Sequence, residues 1–438
     1  MYKQSEIELM KKNIDTIKDD AMREKLTILE PSMKEFKEVY SVILEFIKSK
    51  KRKIYGGYAQ NQLIKKKNEN DVFYKELDMA DIEFYTFEPF KDVIDLCNLL
   101  YTKKFKYIQG SEGVHVETYK IFVNFINYCD ISYMPKNVYD NLPTIEVDNI
   151  LYTHPHFMLI DAYRVYADPL TSYFRLDKTF YRFSTLMKYY PFDNKFEKFE
   201  FKYNTFNKDI KRFIRHHILH NSQLIVIGHY AYNYLVKKVN LGLEYENFPY
   251  YQAISIDYDN DKIKIENFIK KKYKITVKEF SPYFQFYDKH TEYYYNDICI
   301  LKLYGHNNRC IVNQISEKKK VFFGTFQLIF LYLLIDYQYA ITRRDDKEKI
   351  NYMILITRIM KAREYYLDSH NKTLLDKTPF QEFTLKCLGS TEDPLRMSRI
   401  QSKIKRSDNK HKFNYEPKGK EVKIPEYRFN NSSGNQIL

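Results

Sequence analysis

Two acidic side chains lie two positions apart in the short alternating segment 80–84. In a β-strand, residues i and i+2 point to the same face, so Asp81 and Glu83 are predicted to project together while their apolar neighbours face the core. A second alternating segment, residues 122–133, supplies Asp130. Three carboxylates on adjacent strands can hold two Mg²⁺ ions about 3.5–4 Å apart, a spacing that suits in-line attack on a phosphate. The spacing therefore predicts a two-metal site.

A pair of glycines precedes these carboxylates. Gly56 and Gly57 stand between a predicted strand and a helix that begins near Tyr58. Glycine lets backbone N–H groups approach a phosphate closely, and the positive end of a helix favours the same anion. A Gly-Gly pair alone is usually a tight turn, and an Asp-x-Glu alone is usually surface charge. Their order and spacing together are the informative feature. Glu76 and Asp78 are rival carboxylates outside the alternating strand.

The glycine segment occurs twice. Residues 226–236 repeat the pattern of residues 54–64, including a glycine at position 228. At the same offset, the positions of Gly57, Asp81, Glu83 and Asp130 are occupied by His229, Ala253, Ser255 and Lys302. The interval to Lys302 is so long that this last pairing is insecure. The apolar positions persist while the carboxylates are lost, which predicts a duplicated domain whose second copy has no metal site.

Composition narrows the class of protein. The chain has 438 residues and a formal net charge of +14, which favours a polyanionic partner such as nucleic acid. Alternatively, its lysines serve only to keep a chain rich in Tyr and Phe soluble. Five cysteines without metal or redox spacing favour a reducing intracellular compartment. No signal peptide is visible, and the apolar stretch 328–335 is too short to span a bilayer, so we predict a buried helix and no membrane partner.

The pattern along the chain predicts four parts. Residues 1–45 are an N-terminal helical segment, 46–200 a catalytic domain, 201–392 a degenerate second domain, and 393–438 a basic, disordered tail. The tail is either a non-specific RNA contact or a localisation signal.

Other clusters leave alternatives open. Arg175, Lys178 and Arg182 have helical spacing and could meet a triphosphate or form a solvated basic face. Basic groups interleaved with aromatic residues could guide single-stranded RNA or be ordinary surface: Lys65–Lys67, Lys270–Lys272, Lys274 and Lys318–Lys320. Three histidines, His216, His217 and His220, lack a Cys or carboxylate to complete a metal site.

These motifs resemble two nested families. Gly-Gly, Asp-x-Glu and a distant Asp are similar to the DNA polymerase β-like nucleotidyltransferases, many of which have Asp at the position of Glu83. The segments 55–61, 80–86, 129–135 and 168–178 resemble the poly(A) polymerase catalytic subunits of large DNA viruses, and most closely those of giant viruses. The resemblance covers roughly residues 30 to 390 and leaves out the basic tail.

The resemblance implies an α+β fold of tandem nucleotidyltransferase-like domains, each a small mixed sheet backed by helices. It implies an enzyme that adds AMP from ATP to RNA 3′ ends without a template. Asp81, Glu83 and Asp130 would bind two Mg²⁺ or Mn²⁺ ions, and Gly56, Gly57 and Lys178 would bind the ATP.

Partners and location follow from the same resemblance. A homodimer is preferred over a cap methyltransferase-like partner subunit, and the expected location is the host cytoplasm (viral factory) or the virion. Two alternatives stay open: a uridylyl- or CCA-adding specificity, and a non-catalytic RNA-binding subunit.

Overall fold

The structure is a computed structural model. It describes residues 2–75, 77–113, 115, 117–192, 208–220, 222–243, 248–306, 310–316, 320–390, 392–393, 396–397, 399–400, 403 and 413–417. Two compact units share the chain. The first comprises Met1–Tyr133, Thr144–Thr153 and Ile404–Glu426, and the second comprises Met134–Pro143, His154–Lys403 and Tyr427–Leu438. The domain limits given above stay a prediction.

In the part of the first unit that the structure describes there are four α-helices, one 3-10 helix (Glu69–Asp71) and eight strands. The helices are α1 (Gln4–Ile28), α2 (Met33–Ser49), α3 (Gly56–Lys65) and α4 (Pro89–Thr102). The strands are β1 (Lys53–Tyr55), β2 (Ile82–Thr86), β3 (Gln109–Glu112), β4 (Thr118–Val123), β5 (Ile126–Tyr133), β6 (Thr144–Val147), β7 (Ile150–Thr153) and β16 (Asn414–Tyr415). They form one sheet in the order β16-β3-β4-β5-β2-β1-β7-β6.

Two local contacts position the chain where it enters the glycine turn. The Ser32 side chain accepts a hydrogen bond from the Glu35 backbone and caps α2, whose apolar face is buried. Directly before β1, the buried Arg52 pairs with the buried Asp92 of α4, with Nε and Oδ2 2.7 Å apart. A buried pair of this kind fixes the chain where it enters the turn.

The second unit holds nine α-helices and eight strands among its described residues. The helices are α5 (Lys136–Asn141), α6 (Pro155–Tyr166), α7 (Pro169–Ser172), α8 (Leu176–Tyr189), α9 (Lys208–Phe213), α10 (Gly228–Lys237), α11 (Tyr258–Lys270), α12 (Phe326–Thr342) and α13 (Asp346–Ser369). The strands are β8 (Ile225–Ile227), β9 (Tyr251–Ser255), β10 (Thr276–Phe280), β11 (His290–Tyr295), β12 (Ile298–Gly305), β13 (Cys310–Ile315), β14 (Phe322–Gly324) and β15 (Cys387–Gly389). The predicted apolar helix is α12, and residues 328–335 are buried.

The two sheets confirm the duplication. The second has the order β10-β11-β12-β9-β8-β14-β13-β15, so seven strands recur in the order of β3-β4-β5-β2-β1-β7-β6. Parallel and antiparallel pairings agree throughout, as in β2 with β5 and β9 with β12, both parallel. Each copy also has a register shift at the same place, after Ile121 and after Tyr293. These two mixed sheets backed by helices confirm the predicted α+β fold.

Two features correct the sequence-based picture. Within the predicted disordered tail, β16 adds an antiparallel strand to β3, and Phe413 is buried against Phe90 and Tyr119. Cys310 and Cys387, which carry no redox spacing, form a disulfide between β13 and β15. Both contacts join residues far apart in the chain, which local patterns do not report. No helix in the described ranges is long and apolar enough to cross a membrane.

Candidate active site

The central strands of the first sheet bring the predicted carboxylates to one place. Strand β2 runs antiparallel to β1 and parallel to β5. Glu83 is opposite Tyr55 on one side and opposite Asp130 on the other, while Asp81 lies directly before β2. The three carboxylates therefore share one region of the sheet next to the glycine turn. Their roles stay a prediction.

Asp130 is held by polar neighbours. Lys120, opposite Asp130 on β4, donates to both carboxylate oxygens at 2.7 and 2.6 Å. The Asn127 side-chain amide donates to Asp130 Oδ1 at 3.0 Å and lies 3.4 Å from Asp81 Oδ2. The Asp130 side chain is 14% exposed and that of Lys120 is 30% exposed, so this ion pair is partly shielded from solvent. Asn127 therefore connects two of the three carboxylates.

The pKa of the Cys129 thiol reflects the nearby charges of the three carboxylates. Burial raises the pKa of the Cys129 thiol well above its ordinary value, and the negative charges of Asp130, Asp81 and Glu83 raise it further. All three carboxylates therefore lie near the buried Cys129 thiol of β5. Within the described residues, no three His, Cys, Asp or Glu side chains lie close enough to hold a metal ion as they stand. Glu83 and Asp130 each have another partner.

The partner of Glu83 is the glycine turn. The Gly57 N–H donates to Glu83 Oε2 at 3.0 Å, which places a carboxylate at the positive end of α3. Gly56 has φ +72°, in the left-handed region that favours glycine. A Cβ at position 56 would overlap the Glu83 carboxylate. Both the backbone conformation and the approach of Glu83 therefore require glycine at this position.

Gly56→Ala is expected to lower activity by at least about 100-fold, because a methyl group here displaces Glu83 and strains the turn by about 1–2 kcal/mol. Initial rates of the ATP-dependent RNA extension that the resemblance implies, beside thermal melts, check this. Gly242→Ala is the matched control. Gly242 also has a positive φ, but a Cβ added there would meet open space. A Gly56→Ala enzyme as active as the Gly242→Ala enzyme would contradict the assignment.

The remaining predicted residues lie elsewhere. Lys178 is exposed and Arg182 is half-buried on α8 in the second unit, and the ATP-binding role of Lys178 stays a prediction. His216 and His217 lie on a π-helical turn, Ile214–Leu219, beside Arg215. Glu76, Lys318 and Lys319 lie outside the described residues, as do Lys405, Arg406, Lys410 and Lys412 of the basic tail.

The second unit corrects the equivalences at its own site. Strand β8 pairs Ile227 with Gln252, as β1 pairs Tyr55 with Glu83. Gln252, and not Ser255, therefore takes the place of Glu83, and Tyr250 takes that of Asp81. A Cβ on Gly228 would overlap the Gln252 amide, just as one on Gly56 would overlap Glu83. The constant offset fails here because the connection between the turn and the second strand is three residues shorter.

Lys302 does take the place of Asp130, and the charges around it are reversed. Strand β12 pairs Lys302 with Gln252 and with Glu292, which corresponds to Lys120. Lys302 Nζ lies 2.8 Å from Glu292 Oε1, and the two side chains are 12% and 6% exposed. Burial alone would raise the pKa of Glu292, but the Lys302 charge holds it well below its usual range. A cation now occupies the position of a carboxylate, so this site cannot hold a divalent metal.

Aromatic residues fill the rest of the second site. The Lys302 ammonium lies 4.4 Å from the centre of the Tyr250 ring. The Tyr250 hydroxyl is 3.0 Å from the Tyr352 hydroxyl, which is 3.4 Å from His229 Nε2. The Gln252 amide donates to Asp336 Oδ2 at 2.9 Å. The second site is thus a packed polar core, which explains how the fold persists without its chemistry.

Asp336→Asn is expected to change how stability depends on pH. Burial raises the pKa of Asp336 to about 6 from an ordinary 3.8. The folded state therefore holds this proton more tightly, and the stability contribution is full below the ordinary pKa and is lost as pH rises through about 6. Asparagine cannot ionise, so the variant's melting temperature should fall less than the parent's between pH 4.5 and pH 7. Equal changes in the two proteins would contradict this, and Asp346→Asn, on an exposed side chain, is the control.

Two site residues were missed by the sequence reasoning. Lys120 and Asn127 contact Asp130 across and along the sheet. Lys120 lies on the strand before Asp130 at a separation of ten residues, which a hairpin register would have brought opposite it. Asn127 lies three residues before Asp130, and between them the register of β4 with β5 shifts so that Tyr128 is skipped, an irregularity for which the residue pattern offers no signal.

Comparison with known proteins agrees with this fold. A family described as "Poly(A) polymerase catalytic subunit" matches residues 41–172, and one described as "APMV, Putative poly(A) polymerase, catalytic subunit, C-terminal" matches residues 184–438. A "Putative poly(A) polymerase catalytic subunit" of Acanthamoeba polyphaga mimivirus is 34% identical over 100% of this chain and 83% of that protein. One from African swine fever virus (isolate Pig/Kenya/KEN-50/1950) is 28% identical over 43% of this chain and 40% of that protein.

A solved structure extends the comparison to three dimensions. The crystal structure of the Megavirus polyadenylate synthase has a TM-score of 0.88 and 33% identity, covering 95% of this chain and 86% of that chain. Fold and site together define a nucleotidyltransferase-like enzyme with one site that keeps its carboxylates and one that has lost them. More particularly, the chain belongs to the family of viral poly(A) polymerase catalytic subunits, and it is an enzyme of that kind.

Proposed function

We propose that this protein adds AMP units from ATP to the 3′ end of single-stranded RNA without a template, using Asp81, Glu83 and Asp130. The observation that carries the proposal is the register of β2 and β5, which sets Glu83 beside Asp130 at the glycine turn. The likeness to polyadenylate synthase supports the same reaction. The product would be a polyadenylated viral RNA.

The donor set fits two hard divalent cations. Carboxylate oxygens are the ligands that Mg²⁺ and Mn²⁺ prefer, and Asp81, Glu83 and Asp130 would hold them. When bound, the metals would lower the pKa of the attacking 3′ hydroxyl and stabilise the leaving pyrophosphate. Lys120 and the Gly57 N–H bind Asp130 and Glu83 in the present arrangement, so these carboxylates would have to exchange these partners for the metals. Lys120 thereby keeps the charge of Asp130 compensated before the substrate arrives.

The glycine turn would receive the triphosphate of ATP. The Gly57 N–H lies at the positive end of α3 and already binds an anionic group, the Glu83 carboxylate. With Glu83 bound to a metal instead, this N–H would be available to a phosphate oxygen. Lys178 is a further proposed contact to the triphosphate, supported by its basic charge alone.

Primer extension tests this function. A short single-stranded RNA is incubated with each of the four NTPs separately in Mg²⁺, and pyrophosphate release is followed in parallel. We expect a ladder with ATP alone. If UTP or CTP is used instead, the proposed mechanism still holds, but the base specificity is that of a uridylyl- or CCA-adding enzyme. RNA binding without extension or pyrophosphate release, even in Mn²⁺, would overturn the proposal in favour of a non-catalytic subunit.

A homodimer is the proposed assembly, with a cap methyltransferase-like subunit as the alternative partner. Helix α1 supports self-association because apolar side chains along it are exposed, including Leu9, Ile14 and Ile17. Light scattering of the purified chain separates a dimer from a monomer. Because the relatives are viral proteins, we further propose the host cytoplasm (viral factory) or the virion as its location.

A further inference from the structure

An open groove lies in the first unit beside the carboxylates. Helix α2, helix α3 and the segment that leads from α3 to β2 line it, and its volume is about 760 Å³. Its residues include three lysines and three tyrosines: Lys37, Lys65, Lys75, Tyr40, Tyr58 and Tyr74. A volume of this size is in the range of ligand sites, about 300–1,000 Å³. The lining carries these aromatic and basic side chains together with two acidic ones, Glu69 and Asp78, and none of them has a role in the proposed reaction.

One end of the groove reaches the active site. The Tyr40 hydroxyl donates a hydrogen bond to the carbonyl of Ala80, the residue before Asp81. Burial raises the pKa of Tyr40, and the nearby Asp81 charge raises it further. Tyr58 follows directly on Gly57 in α3. A chain lying in the groove would therefore end at the three carboxylates.

The shape of the groove is built by a buried side chain. Asn61 of α3 is 7% exposed, and its Oδ1 accepts hydrogen bonds from the backbone N–H groups of Phe73 and Tyr74, at 3.0 Å each. These bonds hold the connecting segment against α3 and present Tyr74 and Lys75 to the groove. The wall is thus fixed by an interior contact, which distinguishes it from a loop that merely lies on the surface.

The lysines are able to exchange their present partners. Lys65 lies 3.7 Å from Glu69, and Lys75 lies 4.0 Å from Asp19, both as exposed pairs. Such pairs are worth about 0–1 kcal/mol, so a phosphate can replace either carboxylate at little cost. Asp78, which also lines the groove, accepts a hydrogen bond from the Lys75 N–H at 2.7 Å and is engaged with the protein backbone. With three lysines against Glu69 and Asp78, the groove has a net charge of +1.

We propose that this groove binds the single-stranded segment just before the 3′ end of the RNA primer, with phosphates on Lys37, Lys65 and Lys75 and bases against the tyrosines. The proposal rests on the proposed function, because it assigns the direction of the primer towards Asp81. Lysine along a backbone and aromatic rings under successive bases are how single strands are bound without sequence preference.

Two features favour RNA over other occupants. The ATP triphosphate is assigned to the glycine turn, whereas the groove is lined from Tyr58 onward. Apolar side chains such as Leu44 and Val72 share the lining with the lysines and tyrosines, so an occupant with both charged groups and flat apolar rings fits it best. Single-stranded RNA has both, a charged backbone and bases that stack on aromatic side chains.

Fluorescence anisotropy with a labelled single-stranded RNA, in the absence of ATP and metal, tests the groove apart from catalysis. The variants are Lys37→Gln with Lys75→Gln, and separately Tyr74→Ala. Lys34→Gln is the matched control, since Lys34 lies on the same helix, is 86% exposed and does not line the groove. We expect RNA affinity to fall about tenfold in both groove variants and to stay unchanged in the control.

The salt dependence and the kinetics sharpen the test. Two lost phosphate contacts should reduce the slope of log K against log salt by about 1.4. The KM for RNA should rise about tenfold in the groove variants while the KM for ATP stays within about twofold. If the groove variants bound RNA as tightly as the parent, the assignment of the groove to RNA would be wrong, and another macromolecule would be its occupant. Failure of the parent to extend RNA despite groove-dependent binding would instead count against the proposed reaction alone.

Discussion

Asp81→Ala combined with Glu83→Ala is expected to reduce RNA extension at least about 1,000-fold, which corresponds to about 4 kcal/mol of lost transition-state stabilisation. Both substitutions remove oxygen ligands from the place where β2, β5 and the glycine turn meet. The fold should be retained, since removing neighbouring like charges relieves repulsion. Initial rates with ATP and primer, beside thermal melts of the same preparations, give the two readouts.

The second unit offers a matched control for this double variant. Asp257 and Asp259 have the same two-residue spacing, follow β9 and are exposed. Their replacement by alanine should leave the rate within about twofold, because the adjacent site holds Lys302 in place of a carboxylate. A folded Asp81→Ala, Glu83→Ala enzyme that kept a tenth or more of the parent's rate would refute the ligand assignment.

Lys302→Met is expected to cost about 3–5 kcal/mol of unfolding free energy in the second unit, since it leaves Glu292 buried without its cation. The pKa of Glu292, which burial would raise but the Lys302 charge lowers, gives the pH dependence. Stability from this pair is present above the ordinary glutamate pKa of about 4.3 and is lost as pH falls below it. Urea unfolding followed by circular dichroism at pH 7 measures the loss.

A double-mutant cycle isolates the interaction energy of Lys302 with Glu292 from the effects of their surroundings. Lys302→Met with Glu292→Gln should recover most of the lost stability, because no uncompensated charge then remains buried. Lys262→Met is the control, because Lys262 pairs with Glu279, whose side chain is 61% exposed. This substitution should lower the unfolding free energy by at most about 1 kcal/mol. If Lys302→Met cost no more than Lys262→Met, the reversed pair would not be what stabilises the second site.

The sequence allowed prediction of those parts of the site that depend on local pattern. Glycine at position 56 and the alternation around Asp81 and Asp130 belong to single strands and turns, where period and residue type carry the information. The duplicated fold followed from the repeated turn for the same reason. Seven strands in a matching order then confirmed it.

Register between distant segments could not be predicted in the same way. From Tyr55 to Glu83 is 28 positions, and from Ile227 to its equivalent Gln252 is 25. From Glu83 to Asp130 is 47 positions, and from Gln252 to Lys302 is 50. A constant offset is therefore right at Gly228 and Lys302 and wrong between them. Changes of length fall in connections, whose residues carry no periodic signal.

Lys302 was predicted at the position of Asp130, but the partners of these two side chains could not be predicted, for a related reason. Lys120 with Asp130, and Glu292 with Lys302, are opposite pairs at the same register of adjacent strands. Each side chain looks unremarkable alone, and only the pairing shows that one sheet position must be compensated whichever sign it carries. The disulfide of Cys310 with Cys387 and the strand β16 likewise depend on contacts between distant segments.

The most direct test of the account is the position of Mn²⁺ in crystals of the protein grown with a non-hydrolysable ATP analogue. Anomalous difference maps should show two peaks about 3.5–4 Å apart, bounded by Asp81, Glu83 and Asp130, with the analogue's phosphates at Gly57. The second unit should show no peak near Gln252 and Lys302. Peaks away from the three carboxylates, or phosphates bound only in the second unit, would contradict the assignment of catalysis to the first.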